Sequence, residues 1–168
     1  MKNFFLKIVR KLILYIRYSP YNISIKLRSK LYKYLMKNIG EQCNILDSVV
    51  ISNPENVSLG NRVSIHQFCF FDANNEIQIG NDVAIGTHVK IITSEHIFSD
   101  NTKKIKDQGI TSKKISISDN VWLGTNVTIL KGVKIGENTI IGAQSLVNKD
   151  IPPNVVAAGI PCKVIKQR

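Results

Sequence analysis

The sequence predicts a mainly β protein, built as a solenoid of short parallel strands with an N-terminal α-helical basic arm and an excursion loop at 97–114. Three observations support this prediction. Aliphatic residues recur every six positions, the excess positive charge is concentrated in the first 40 residues, and the six-residue period is lost between 97 and 114. We therefore expect a helical arm at 1–38, a repeat domain at 39–151 and a C-terminal cap at 152–168.

The six-residue repeat is most regular from Ile117 onward, where each hexad opens with an aliphatic residue and usually has a small or β-branched residue four places later. This period matches neither the two-residue alternation of a strand nor the 3.6-residue turn of a helix. Three short strands joined by tight corners fit it, because they close a triangular prism whose coils stack about 4.8 Å apart. The opening residues, predicted to fill the prism, are Ile39, Ile45, Leu59, Ile65, Phe71, Ile79, Ile85, Ile91, Ile117, Leu123, Ile129, Ile135, Ile141 and Val147, with two-residue slips after Ile51 and Phe71.

The corners and breaks of the repeat can also be located. Glycine follows many opening residues, which predicts tight corners because glycine tolerates a positive φ at no steric cost. These glycines are Gly60, Gly80, Gly86, Gly124, Gly136 and Gly142. The stretch 97–114 contains five Lys and no hexad, so we expect a functional loop there. The tail from Pro152 is expected to cap the last coil or fold back over it.

The distribution of charge argues against a nucleic-acid partner. The net charge is +11, but residues 1–40 contain ten Lys or Arg and no Asp or Glu, whereas residues 41–168 contain thirteen basic and twelve acidic side chains. A nucleic-acid-binding fold spreads or stripes its positive charge over the binding face. Here the charge belongs to the arm, and the repeat domain is close to neutral.

Cysteine usage predicts a cytosolic protein with reduced thiols and no metal site. Cys43, Cys69 and Cys162 are odd in number and form no metal-type cluster. Cys43 and Cys69 fall at inward positions of the repeat, so we expect them to pack in the core. The apolar stretch 4–16 is interrupted by three basic residues and lacks a cleavage site, which argues against both a secretory signal and a membrane-spanning helix.

The basic arm predicts two amphipathic helices, separated by the break at Ser19-Pro20. On a helical wheel, one half of the first helix is apolar and the other half carries Lys7, Arg10, Lys11 and Arg17. The apolar half contains Phe4, Phe5, Ile8, Val9, Leu12, Ile13, Tyr15 and Ile16. Residues 1–36 fit either of two roles, a peripheral contact with an anionic membrane or a cap that packs on the first coil.

Four segments of the repeat domain resemble the hexapeptide-repeat acetyltransferases, the family of galactoside, maltose and capsular or lipopolysaccharide sugar O-acetyltransferases. They are Val121–Gly124, Ile129–Gly136, Ile141–Ser145 and Lys149–Pro161, together with the Thr-x-x-His at 93–96. The resemblance covers residues 57–168. It implies a left-handed parallel β-helix, a homotrimer, and acetyl-CoA bound in the groove between adjacent prisms. The arm lies outside the match, which indicates a member acting in surface polysaccharide biosynthesis, at the cytoplasmic side of the membrane.

His96 resembles the catalytic histidine of the family. Transfer of an acetyl group to a sugar hydroxyl needs a base, and an imidazole can take the hydroxyl proton at neutral pH and return it to the departing thiolate. Glu95 occupies a slot that should point inward and hold a small residue. We expect that the coil has already opened at Glu95; the alternative is that its carboxylate orients His96.

The resemblance also implies a set of residues for acetyl-CoA. Trp122 points away from the prism axis and is expected to wall the pantetheine channel. Thr125, Ala143 and Asn148 match positions along the pantetheine arm. Lys149, Lys163 and Lys166 are expected near the phosphates, where a Lys supplies charge without the bidentate fork of Arg.

The acceptor is less well defined by the sequence. His66 follows Ile65 at a corner where sugar-acetylating relatives often place Asn, so it contacts either the sugar or solvent. Asp72 is a second acceptor-binding candidate, and His88 is expected on the surface. The acceptor can be a free or lipid-linked sugar, with N-acetylation of an amino sugar as the alternative reaction.

Two other classes of protein are the rivals to an acetyltransferase. They are a zinc lyase of the carbonic anhydrase kind and a non-catalytic trimeric scaffold, but the histidine spacings do not resemble the lyase pattern.

Overall fold

The computed structural model describes residues 2–168, so only Met1 of the predicted arm lies outside the described residues. Two helices, α1 (Lys2–Ile16) and α2 (Asn22–Tyr32), precede the solenoid. The strands are β1 (Asn38–Ile39), β2 (Asn44–Ile45), β3 (Val50–Ser52), β4 (Val57–Leu59), β5 (Ser64–Ile65), β6 (Phe70–Asp72), β7 (Ile77–Ile79), β8 (Ala84–Ile85), β9 (Lys90–Ile92), β10 (Ser94–His96), β11 (Ile110–Ser112), β12 (Ile115–Ile117), β13 (Trp122–Leu123), β14 (Thr128–Ile129), β15 (Lys134–Ile135), β16 (Ile140–Ile141), β17 (Leu146–Val147), β18 (Val155–Ala158) and β19 (Lys163–Gln167).

The strands form the three faces of a prism. Face 1 contains β1, β4, β7, β12 and β15; face 2 contains β2, β5, β8, β13, β16, β18 and β19; face 3 contains β3, β6, β9, β14 and β17. Strands of successive coils pair in parallel and in register, as in Ile65↔Ile85 on face 2. Only β19 runs antiparallel on its face, where it folds back on β18. The chain thus makes five complete coils and a partial sixth.

The core is the column of hexad-opening residues that the sequence predicts. All of them from Ile45 to Val147 are at most 2% exposed, and the residues four places later, such as Val121 and Val127, are buried beside them. The three cysteines are also buried and free. Burial raises the pKa of the Cys69 thiol to about 11, so this thiol is a packing residue, protonated at neutral pH.

The glycines at the corners have a different role from the one predicted. The positive φ occurs two residues later, at non-glycine positions such as Asn126 and Asn138. Gly60 is required by close stacking instead, because a Cβ on it would lie 2.6 Å from the backbone of Gly80 in the next coil. The left-handed position is taken by Asn at several corners, since Asn tolerates this conformation and its side-chain amide can bond locally.

The irregularities of the repeat all fall at one corner, between face 3 and face 1. The two-residue slips predicted after Ile51 and Phe71 correspond to extra residues at Pro54–Asn56, a 3-10 turn, and at Asn74-Asn75. The excursion loop leaves the third coil at the same corner. The other two corners keep a constant length, so they stack without interruption.

The two helices close the open end of the first coil. The unpaired backbone of β2 would otherwise be a free strand edge. Arg28 and Ser29 of α2 satisfy it: the Arg28 Nε donates to the Ile45 carbonyl at 3.0 Å, and the Ile45 N–H donates to the Ser29 hydroxyl at 3.2 Å. The Arg28 Nη1 also donates to the carbonyls of Ile16 and Ser19, at 2.7 and 2.8 Å, and so joins α1 to α2.

The apolar half predicted for α1 is divided in the structure. Val9 and Ile13 are buried in the core, with Leu6 and Ile16 packed against it. The remaining apolar residues of that half are exposed: Phe4, Phe5, Ile8, Leu12 and Tyr15. The helical wheel could not separate the buried apolar residues from the exposed ones, because this depends on which side of α1 faces the prism. None of the described helices is both long enough and apolar enough to cross a membrane.

We predict that Arg28→Met lowers the free energy of unfolding by about 2–4 kcal/mol, because it leaves one buried and two partly buried carbonyl acceptors without their donor. Chemical denaturation followed by circular dichroism measures this change. Lys30→Met, on the exposed side of the same helix, is the control and is expected within about 0.5 kcal/mol of wild type. Equal stability of the two variants would contradict the role given to Arg28.

Candidate active site

The excursion leaves the prism as a hairpin. After β9, strands β10 and β11 pair antiparallel, with His96 opposite Ile110, and the chain rejoins face 1 at β12. The Lys113 N–H donates to the Thr93 carbonyl at 2.9 Å and closes the base of the hairpin. The predicted loop at 97–114 is confirmed, but it is more ordered than the sequence indicates: its return strand begins at Ile110 and a 3-10 turn lies at Ile105–Asp107.

A network of hydroxyl and amide groups supports the base of this hairpin from the coil below. Thr93 is fully buried, donates to the Asp72 carbonyl at 2.7 Å and accepts the Asn75 N–H at 2.9 Å. The Ser94 hydroxyl donates to the Asp72 carboxylate at 2.5 Å and accepts from the Asn74 amide at 3.1 Å. Because its polar atoms are paired at both positions, the start of the hairpin is fixed relative to the prism.

The far part of the excursion is held together by Gln108. Its side-chain oxygen accepts the Asp100 N–H at 3.0 Å, and its amide nitrogen donates to the carbonyls of Asp100 and Lys103, at 2.9 and 3.1 Å. The Asp100 carboxylate accepts from the N–H and hydroxyl of Thr102, and these hydrogen bonds lower its pKa. The loop is therefore an ordered extension of the prism.

His96 is the last residue of β10 and is exposed beside a small cavity of about 170 Å³. The cavity is lined by Glu95, His96, Ile97, Phe98, Ser99 and Thr111. An exposed aromatic ring, that of Phe98, thus lies in the same cavity as the imidazole. This combination of a base and an apolar surface suits a ligand that has both hydroxyl groups and C–H faces.

The carboxylate of Glu95 is directed to Lys131. The coil has already opened at Glu95, as expected, because the residue belongs to β10 and is exposed. Its Oε1 lies 3.1 Å from the Nζ of Lys131, whose side chain is only 16% exposed. This ion pair fastens the strand that carries His96 to the next coil.

The residues predicted for acetyl-CoA lie in three places on the chain, on face 2 and at two corners. Trp122 is 55% exposed on the outer side of face 2, and Lys163 and Lys166 lie on β19 of the same face. Thr125 and Ala143 are exposed in successive coils at the corner between faces 2 and 3, where the Gln144 N–H donates to the Thr125 carbonyl at 2.8 Å. Asn148 and Lys149 are exposed at the corner between faces 3 and 1.

The acceptor candidates are divided in the same way. Asp72 lies below the hairpin at the corner between faces 3 and 1. His66 lies at the corner between faces 2 and 3, in a cleft of about 380 Å³ bounded by Asn22 and Lys26 of α2. In a triangular prism, the corner between faces 3 and 1 is opposite face 2. One chain therefore has His96, Asp72, Asn148 and Lys149 on one side, and His66, Trp122, Thr125, Ala143, Lys163 and Lys166 on the other.

The three histidines do not converge within one chain. His88 is exposed, as predicted, and stacks on Phe68 with ring centroids 4.9 Å apart. It shares a corner with His66, whereas His96 is on the excursion. Across residues 2–168 no group of three His, Cys, Asp or Glu side chains could hold a metal ion.

Sequence reasoning assigned no role to Lys131, Phe98 or Gln108. Lys131 could have been suspected, because a charged residue at an inward slot, such as Glu95, calls for a partner in a neighbouring coil. Phe98 and Gln108 have no comparable signal, since neither belongs to the repeat. Their positions depend on the path of the hairpin.

Comparison with known proteins agrees with the repeat and the fold. A family model for bacterial transferase hexapeptides (six repeats) matches residues 114–149. Galactoside O-acetyltransferase of Lactococcus lactis is 40% identical over 136 residues, which cover 80% of this chain and 65% of the relative, so the chain spans just under two thirds of its length. Galactoside O-acetyltransferase of Escherichia coli is 35% identical over 143 residues, which cover 85% of this chain and 70% of the relative. A crystal structure of galactoside acetyltransferase in complex with coenzyme A superposes with a TM-score of 0.84 at 31% identity, over 95% of this chain and 78% of that one.

The fold and repeat define a hexapeptide-repeat transferase of the left-handed parallel β-helix class. With relatives of this identity and coverage, the chain belongs to the hexapeptide-repeat acetyltransferases of the galactoside and maltose O-acetyltransferase type. The fold class and the family, both predicted from the sequence, are confirmed; the galactoside relatives are named O-acetyltransferases, and one of the similar structures holds coenzyme A.

We predict that Lys131→Met lowers kcat about 3- to 10-fold, because the strand that carries His96 loses its attachment to the next coil while Glu95 is left without a partner. Steady-state kinetics measures the effect. The charge-reversed pair Glu95→Lys with Lys131→Glu is expected to recover part of the loss. Lys103→Met, which removes the Asp100 ion pair farther out on the excursion, is the matched control. A larger loss in the control than in Lys131→Met would contradict this role.

Proposed function

We propose that the chain is an acetyl-CoA-dependent O-acetyltransferase that modifies a sugar hydroxyl, with His96 as general base. The observation that carries the proposal is the placement of His96 at the end of β10, beside the small cavity that contains Phe98, on a strand whose start is fixed by the hydrogen bonds of Thr93. The galactoside O-acetyltransferases among the relatives support a sugar acceptor.

The proposed reaction joins the acceptor oxygen to the acetyl carbon as the thioester C–S bond breaks. His96 accepts the hydroxyl proton during the attack and then donates it to the departing thiolate, so the products are an acetyl ester and free CoA thiol. The role of the rest of the site is to hold the two substrates in line, which can contribute more than the base itself. Because the start of the hairpin is fixed, the strand that carries the imidazole needs little reorganisation during the reaction.

A homotrimer explains why the candidate residues lie on two sides of the prism. When prisms stand side by side, the corner that carries His96 in one chain can face the Trp122 side of its neighbour. The groove between them then has a base and an acceptor cavity on one wall, and the channel residues with Lys163 and Lys166 on the other. We propose that acetyl-CoA lies in this groove and that each active site needs two chains.

The acceptor pocket is proposed to form from the excursion of one chain and from His66 of the next. Phe98 offers an apolar surface for a sugar ring. Asp72 lies at the base of the hairpin and is proposed to orient the sugar. The excursion and the basic arm together suit an acceptor of surface polysaccharide synthesis, such as a lipid-linked sugar used for capsule, O-antigen or exopolysaccharide. The proposed location is the cytoplasmic side of the membrane.

We predict that His96→Asn lowers kcat by about 10² to 10⁴, because the variant loses the proton acceptor while the hairpin keeps its bonds. Release of free thiol from acetyl-CoA, with a panel of free sugars, nucleotide sugars, amino sugars and lipid-linked glycans, measures turnover and identifies the acceptor. Calorimetric binding of acetyl-CoA is expected to remain close to wild type. His88→Asn, at an exposed corner, is the control, and a His96→Asn enzyme as active as this control would refute the proposed base.

Mixed trimers test the groove between chains. We predict that His96→Asn and Trp122→Ala chains, each weakly active alone, gain activity when refolded together. In a mixed trimer, one groove receives an intact His96 from one chain and an intact Trp122 from its neighbour. Activity of the mixture that equals the sum of the separate variants would indicate a site within a single chain.

A further inference from the structure

The exposed side of α1 is a second apolar surface, separate from the one that caps the prism. We name as the outer stripe the residues Phe4, Phe5, Ile8, Leu12 and Tyr15. Their spacing, mostly of three and four residues, places them on one side of the helix, about a third of a turn from the buried Val9 and Ile13. Leu12 is 45% exposed and Tyr15 is 89% exposed, so the prism leaves this side uncovered.

The outer stripe continues onto the segment after α2. The Phe5 ring meets the Tyr34 ring edge to face, with centroids 5.2 Å apart, and Tyr34 is itself exposed. Two aromatic rings are thus held together at the surface by contact with each other. An apolar area formed from two elements is unlike the single exposed apolar residues that are common on protein surfaces.

The charges next to the outer stripe select its partner. On the helix, Lys7 and Lys11 border the stripe, and residues 1–40 contain ten basic side chains and no acidic one. Apolar and aromatic side chains flanked by Lys and Arg are the chemistry of a helix that lies in the surface of an anionic bilayer. A protein partner would need an apolar groove with an acidic border. The first coil, the part of a second copy that would lie at the same end, has only Glu41, Asp47 and Glu55 as acidic residues, against the ten basic residues of the arm.

From these observations we propose that the outer stripe docks the protein on an anionic membrane, while the neighbouring side of the same helix, which carries Val9 and Ile13, caps the prism. The proposal rests on the trimer and the lipid-linked acceptor of the proposed function, and it adds an orientation to them. Because α1 closes the first-coil end, prisms that stand side by side present three outer stripes at one end of the trimer. Three weak anchors on one rigid body bind a surface far more tightly than one.

This orientation also determines how far the proposed active site lies from the membrane surface. His96 leaves the third coil, two coil spacings or about 10 Å from the first. The membrane-docked end is therefore near the excursion, and the far end carries β19. A sugar joined to a lipid through a short linkage is within reach of His96, whereas the distal end of a long chain need not be.

Vesicle co-sedimentation tests the proposal, using phosphatidylcholine alone and phosphatidylcholine mixed with phosphatidylglycerol. The full chain is expected to bind the anionic vesicles and not the neutral ones. Ile8→Ser with Leu12→Ser is expected to weaken binding at least about tenfold, since both residues lie on the outer stripe and not in the core. Lys7→Gln with Lys11→Gln is expected to weaken it to a similar extent, with a smaller dependence on salt.

The matched control keeps the apolar character of the stripe, as Ile8→Leu with Leu12→Ile, and is expected to bind as wild type does. Light scattering and thermal unfolding accompany each variant. Wild-type protein that ignores anionic vesicles, or an Ile8→Ser/Leu12→Ser protein that binds as well as the control, would overturn the proposal. A change of oligomeric state in the serine variant would also overturn it, because the stripe would then be an interface between copies.

The activity assay separates this proposal from the proposed function. The serine variant is expected to keep wild-type turnover with a water-soluble acceptor and to lose it with a lipid-linked acceptor in vesicles. His96→Asn is expected to lose turnover with both and to bind vesicles normally. A variant that no longer binds the membrane is thus expected to keep the reaction with a water-soluble acceptor. A variant that has lost the catalytic base is expected to keep vesicle binding.

Discussion

The regular stacking of coils is the constraint on which the other features of this protein depend. Each coil pairs its backbone with the coils above and below, and every hexad directs one aliphatic residue to the same central column. Because the backbone of Gly60 lies directly against that of Gly80, there is no room for a side chain at this position of the corner. The prism is consequently rigid, and a side chain on its surface is placed as accurately as its coil.

In a rigid stack, extra residues have to fall where the pairing between coils tolerates them. Here a single corner, between faces 3 and 1, contains the two short slips and the excursion that carries His96. Polar side chains repair the interrupted ladder there: Asn53 donates to Asn74, Asn74 to Ser94, and Asn75 to Ser112. The hairpin can thus leave the prism without freeing its first residues, which is what the base proposed at His96 requires.

The two ends of the stack need a different solution, because the backbone of a terminal coil has no neighbouring coil to pair with on its outer side. At the C-terminal end β19 folds back on β18, and at the N-terminal end α2 supplies Arg28 and Ser29 to the backbone of β2. The first helix, α1, also carries apolar residues that its packing on the prism does not cover. The excess apolar surface is the feature that distinguishes this chain from a minimal solenoid, and it lies beside the highest density of positive charge in the sequence.

The sequence by itself determined the coil, the column of buried residues and the family, because a period of six is a local property that every hexad repeats. It also located His96, since the loss of that period marks where the chain leaves the prism. Only the tertiary structure decided the rest. It assigned the left-handed φ to non-glycine residues such as Asn126 and not to the corner glycines, paired Glu95 with Lys131, and divided the apolar half of α1 between core and surface. It also placed Trp122 and His96 on opposite sides of the prism. These outcomes depend on contacts between residues far apart in the chain, and a repeat read along the sequence does not specify which faces meet a neighbour.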